Sequence, residues 1–165
     1  MRRIGLILAV FTLFLSCLIS PAYPYWIWTP KKSRWVNPKA SVKSSPQEQL
    51  KFIQELYTQE KYDQAIDECR KLIKYYPKAF EASEAQFYIG LSFEGDKKLY
   101  EAFQSYQKVI DKYPFSKRLD EIIEKELRIA QAFMAGEKRK IGKVELPVEN
   151  PAIEILRKVV DNSVY

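Results

Sequence analysis

One passage of this chain occurs twice. Lys61-Tyr62-Asp63-Gln64-Ala65-Ile66, with Tyr76-Pro77 after it, returns as Lys98-Leu99-Tyr100-Glu101-Ala102-Phe103 with Tyr113-Pro114 after it; Ala65 to Ala102 and Pro77 to Pro114 are both 37 residues. A period of that size restricts the fold sharply. It marks one supersecondary unit that cannot bury its apolar face alone and must stack on copies of itself. A third copy, Ala152-Ile153-Glu154-Ile155-Leu156-Arg157-Lys158-Val159-Val160, follows an insertion.

Each copy reads as two helices. Leu50, Ile53, Leu56 and Tyr57 precede Ala65, Ile66, Cys69, Leu72 and Ile73 at helical spacing. Phe87, Ile89, Gly90 and Phe93 precede Ala102, Phe103, Tyr106, Val109 and Ile110, and Ile122, Ile123, Leu127, Ile129, Ala130 and Phe133 precede Ala152 to Val160. Pro77 and Pro114 close their helices, Pro151 suits a helix start, and Gly95-Asp96 and Gly136 mark the turns within the pairs. Ala65, Ala102 and Ala152, with Gly90 and Ala130 opposite, are small where antiparallel helices press closest. The pattern predicts helices near 46–60, 62–76, 80–94, 98–112, 116–135 and 150–161, with little or no sheet.

Composition removes most catalytic readings. The 165 residues contain no His, five Gly and two Cys, Cys17 and Cys69. A Gly-rich phosphate cradle therefore has little to build from, an imidazole base has nothing, and two Cys are too few for a Cys-only zinc site. Glu55, Asp67, Glu94, Glu121 and Glu126 lie scattered among Lys and Arg and read as solvated faces, and Cys69 reads as core. No enzyme activity, catalytic residue, cofactor or metal is expected.

The net charge of +6 is carried by the N-terminus: residues 1–47 hold seven bases and no acid, leaving 20 bases against 21 acids in 48–165. The repeat region thus offers no overall basic field for nucleic acid. Met1-Arg2-Arg3, the apolar run Ile4 to Ile19 and Ser20-Pro21-Ala22 form a signal-peptide pattern with cleavage between Ala22 and Tyr23. Sixteen apolar residues are short for a membrane span of about 20. A rival processing site is Phe14-Leu15-Ser16-Cys17, which resembles a lipobox and would lipidate Cys17.

Residues 23–45 form an arm rich in Pro and bases that holds Trp26, Trp28 and Trp35. The arm either packs back on the first helices or docks on a partner or an anionic membrane surface. The division expected is a signal peptide at 1–22, this arm at 23–45 and a repeat domain at 46–165, with repeats near 46–79, 80–115 and 116–161.

The order of small and aromatic residues, closed by Tyr-Pro, resembles the tetratricopeptide repeat. The fold class implied is all-α, a helical-hairpin solenoid of about three repeats. An exported chain of this kind, with Ala132-Phe133-Met134-Ala135-Gly136-Glu137-Lys138-Arg139-Lys140 before Asn150-Pro151-Ala152-Ile153, is similar to the BamD (YfiO) family. That resemblance implies a periplasm-facing scaffold for the assembly of outer-membrane β-barrel proteins. Its partners would be proteins, either assembly components or barrel precursors. The alternative is a Tol–Pal-associated periplasmic repeat protein that regulates envelope constriction. Stacked first helices would offer a peptide groove at Gln47, Leu50, Gln54, Tyr57, Glu84, Phe87, Leu91, Glu94, Gln131 and Met134. For Leu50, Tyr57, Phe87 and Leu91, packing between repeats is the competing reading.

Overall fold

The computed structural model describes residues 27–29, 34–36, 41–137, 140–141, 144–145 and 150–163. Six helices carry it: α1 (Pro46–Thr58), α2 (Tyr62–Tyr75), α3 (Glu81–Gly95), α4 (Leu99–Lys112), α5 (Leu119–Met134) and α6 (Ala152–Ser163). Four short strands form two ladders. β1 (Ile27–Thr29) pairs antiparallel with β2 (Arg34–Val36), and β3 (Lys140–Ile141) pairs with β4 (Val144–Glu145). The chain divides into a unit Met1–Ser41 and a unit Val42–Tyr165.

The helices pair as α1 with α2, α3 with α4 and α5 with α6, and the pairs stack through α1 on α3, α2 on α3 and α4 on α5. This is the all-α hairpin solenoid that the repeat predicts. The small residues sit where they must: Ala65, Ala102 and Ala130 are fully buried and Ala152 nearly so. A Cβ built on Gly90 would come within 2.2 Å of the Tyr106 ring, so α3 and α4 approach closely only because that side chain is absent. Two core clusters result. One gathers Ile53, Ile66, Cys69, Leu72 and Ile89; the other gathers Phe87, Phe103, Tyr106, Ile122, Phe133 and Ile155. Phe93 and Tyr113 pack against both.

The repeat also dictates how helices end. Tyr76 and Tyr113 leave the helix with φ −129° and −133°. Each precedes a proline, whose ring excludes the α conformation from the residue before it. The first helix of every pair ends in one left-handed turn. Lys61 donates to the Leu56 carbonyl, Lys98 to Phe93 and Glu137 to Ala132, at 2.8–3.0 Å. The left-handed residues are Glu60 (φ 57°), Lys97 (φ 58°) and Gly136 (φ 106°). Gly95 is therefore not the turn residue the sequence suggests. It closes α3, where a Cβ would meet the Tyr62 ring at 2.5 Å.

Three further expectations change. The fifth helix begins at Leu119 rather than near 116, because Tyr113-Pro114 breaks the chain and Ser116 stays in the turn, its Oγ accepting from the Arg118 amide. Residues 42–45 belong to the helical unit, not to the arm. The Lys43 amide donates to Gln49 Oε1 at 2.8 Å, Tyr76 Oη donates to the Lys43 carbonyl at 2.7 Å, and Ser45 caps α1. Part of the arm is a β ladder in which Trp28 is the register partner of Trp35. Trp26, the cleavage site Ala22-Tyr23 and Cys17 lie outside the described residues.

Candidate protein-binding surface

The first helices of the hairpins, α1, α3 and α5, lie on one side of the stack. α1 packs directly on α3. α3 and α5 are tied by two ion pairs: Arg118 with Glu84 at 2.9 Å, and Lys125 with Glu94 at 3.1 Å. The residues expected to line a groove here divide into three sets.

Gln47, Gln54, Tyr57 and Gln131 keep their side chains at least partly exposed. Gln47 and Gln131 are exposed, and Gln54 and Tyr57 are half-buried. Gln47 Nε2 donates to Glu81 Oε1 at 2.6 Å, across the α1–α3 seam. The Tyr57 ring stands edge-on to Tyr88, with centroids 5.5 Å apart, and tilted against Tyr62 at 5.8 Å. Tyr88 was not anticipated as a groove residue. Partial burial, with Tyr62 and Glu94 nearby, raises the Tyr57 phenol above its usual range, so it presents a neutral hydroxyl. Met134 is 66% exposed, and Leu127, about two turns earlier, is 37% exposed. With Gln131 they make an apolar stripe on α5, of which Leu127 was not anticipated either.

Leu50 and Leu91 are half-buried and pack against the two cores. Each shows a partner only an edge.

Phe87, Glu84 and Glu94 serve the fold. Phe87 is 1% exposed, stacks on Tyr106 at 5.6 Å and lies under the Arg118 guanidinium at 5.0 Å, so it is core and not groove. Glu84 is buried and takes three hydrogen bonds from Arg118, whose other arm reaches Glu121 at 2.7 Å. Those partners hold the guanidinium firmly protonated. Glu94 accepts from Tyr106 Oη at 2.6 Å and from Lys125. These two carboxylates fix the α3–α5 junction and have little left to offer a ligand.

One buried carboxylate contradicts the reading of solvated faces. Glu126 is fully buried. It occupies, in α5, the place of Gln49 in α1 and Gln86 in α3. Those amides donate to the Glu68 and Ser105 carbonyls of the following helices, at 3.2 and 3.1 Å. Glu126 instead accepts from Gln107 Nε2 at 2.9 and 3.0 Å, and burial pushes its carboxyl up to about 7. The signal was in the chain: four residues before Ile53, Gly90 and Ala130 stand Gln49, Gln86 and Glu126. Cys69 is fully buried, and burial raises its thiol far above the usual range.

Among the described residues no three His, Cys, Asp or Glu side chains gather as a metal set, and no helix is long and apolar enough to cross a membrane.

Residues 55–79 and 84–116 match the tetratricopeptide repeat family. No curated protein matches the chain. The matched stretches cover most of the first two hairpins. The α5–α6 hairpin lies beyond them, although it has the same build. The reason is spacing: from Gly90 to Ala130 is 40 residues and from Ala102 to Ala152 is 50, where the first two copies keep 37. Stacked repeats of this type present extended surfaces to other proteins, and a protein-binding scaffold is the role this architecture supports.

Proposed function

We propose that this tetratricopeptide-repeat chain is a non-enzymatic, periplasm-facing scaffold with a BamD-like role in the assembly of outer-membrane β-barrel proteins. The observation that carries the reading is the open side of the stack. Tyr57 of α1 and Tyr88 of α3 form an aromatic ledge, and the Leu127–Gln131–Met134 stripe of α5 is exposed. A partner segment with apolar side chains at alternate positions, as a barrel strand carries, would set them on ledge and stripe and leave its backbone to the glutamine amides. Export is supported by the Arg2-Arg3 start, the apolar run and the small residues Ser20 and Ala22.

The test is site-specific photo-crosslinking from Gln54 and Gln131 in intact cells, with the captured proteins identified by mass spectrometry. Barrel precursors or barrel-assembly components are expected at both positions. Capture of Tol–Pal components at both would replace this reading with the regulator of envelope constriction. Recovery of the protein in the cytoplasmic fraction with Met1 to Ala22 still attached would overturn either.

A further inference from the structure

A second surface lies between α2 and α4, over Gln86, Ile89 and Phe93 of α3. Between them is a cleft of about 430 Å³, with Ile73 and Phe93 contributing apolar surface. Its rim carries Arg70 and Lys74 from α2 and Lys108 and Lys112 from α4, all exposed. The single carboxylate in the lining is Glu101. Four bases against one acid are a marked local excess, since residues 48–165 together hold 20 bases and 21 acids.

No buried ion pair among the described residues commits these cations to the fold, and Lys74 lies 5.7 Å from the centroid of the Tyr75 ring. Among the described residues no carboxylate pairs with Lys74, Lys108 or Lys112. Arg70 meets Asp67 at 3.2 Å, but both side chains are more than 60% exposed, and a pair so solvated holds its partners weakly. Glu101 adds a negative charge to the lining, with its Oε2 buried beneath the surface and without a hydrogen bond from the described residues.

We propose that the α2–α4 cleft binds an acidic, extended peptide segment of a partner protein. The segment's carboxylates would meet the four rim cations and an apolar side chain would rest on Ile73 and Phe93. A polyphosphate or nucleic-acid backbone meets only the first condition and is repelled by Glu101. This surface is separate from the open side formed by α1, α3 and α5, and the proposal does not depend on what binds there.

The experiment is fluorescence anisotropy with a labelled twelve-residue peptide alternating Glu and Leu, against the full chain in 0.1 M salt. Saturable binding is expected, weakened at least tenfold by Lys108→Glu with Lys112→Glu and unchanged by Arg128→Glu on α5, an exposed residue outside the cleft lining. Circular dichroism of each variant checks that the helices persist, and amide chemical shifts on adding peptide should move in α2 and α4. Absence of binding, or binding indifferent to the two lysine reversals, overturns the proposal. Equal affinity for inorganic polyphosphate of the same charge also overturns it, because the cleft would then be a general anion site.

Discussion

Glu126 shows how much a single repeat position can impose. Gln49 and Gln86 satisfy a helix carbonyl there with an amide, whereas Glu126 brings a carboxyl that burial keeps protonated up to about pH 7. The groups acting on it are Gln107, which donates to it, Asp111, which raises its pKa, and Lys158, which lowers it. Its folded value lies above its unfolded one, so the folded state holds the extra proton. Its contribution to stability is therefore full below about pH 4.5 and is lost as pH rises through about 7. The loss corresponds to about 3 kcal/mol. Glu126→Gln should remove that slope and make the protein more stable at pH 8, as read by urea denaturation at pH 5 and pH 8; equal slopes in both proteins would show that the carboxyl is not buried. Gly90 sets the opposite kind of limit. The Tyr106 ring that a methyl would strike is fully buried and anchored by its hydroxyl to Glu94, so it cannot swing aside. Gly90→Ala should cost about 1–3 kcal/mol, seen as a lower urea midpoint with an unchanged slope.

At the scale of the helix, the repeat is as much a matter of endings as of faces. Three first helices stop in the same left-handed turn, but only Gly136 has the residue type that favours it; Glu60 and Lys97 bear the strain of a Cβ at φ near 58°. Glu60→Gly and Lys97→Gly should each raise stability by about 0.5–1 kcal/mol, measured as an increase in Tm, and a decrease at either position would mean that its side chain makes a contact that outweighs the strain. These turns also show what the sequence could and could not disclose. Helix number, pairing and most boundaries were legible because apolar spacing, buried Ala65 and Ala102, and Tyr-Pro endings all recur at one period. The left-handed residues were not, since Glu and Lys carry no turn signal and Gly95, two residues before Lys97, drew attention to the wrong place. The groove was legible only by face. Spacing placed Phe87 beside Gln54 and Leu91, but no periodicity separates a side chain that lines a seam from one covered by Arg118 coming from the next hairpin. Glu84 and Glu94 were misread for the same reason, because their partners Arg118 and Lys125 lie more than 30 residues away. The α2–α4 cleft escaped notice because its bases come from two helices, each of which also carries acids.

For the molecule as a whole, stability in a stack is close to a sum of hairpins and the seams between them, and contacts reach only the neighbouring hairpin. Cys69 lies in the first core cluster, while Ile155 and Val159 of α6 close the second over Ile122, Ile129 and Phe133. The clusters share Phe93 and Tyr113, and Tyr100 Oη reaches Glu154 on α6 at 3.2 Å, so the seams are real but few. Deleting residues 150–165 would uncover Phe133 and Ile129, and α5 should lose its helix with them. The first hairpin should be spared. Cys69 gives the readout, because a fully buried thiol held protonated reacts with a disulfide reagent only when its surroundings open. In a Cys17→Ser background, the truncated chain should lose helical circular dichroism for α5 and α6, while Cys69 reacts no more than a few-fold faster than in the full chain. If Cys69 instead reacts as fast as in 8 M urea, the loss of one terminal helix has unfolded the whole stack. The six helices would then form one cooperative unit rather than a chain of neighbours.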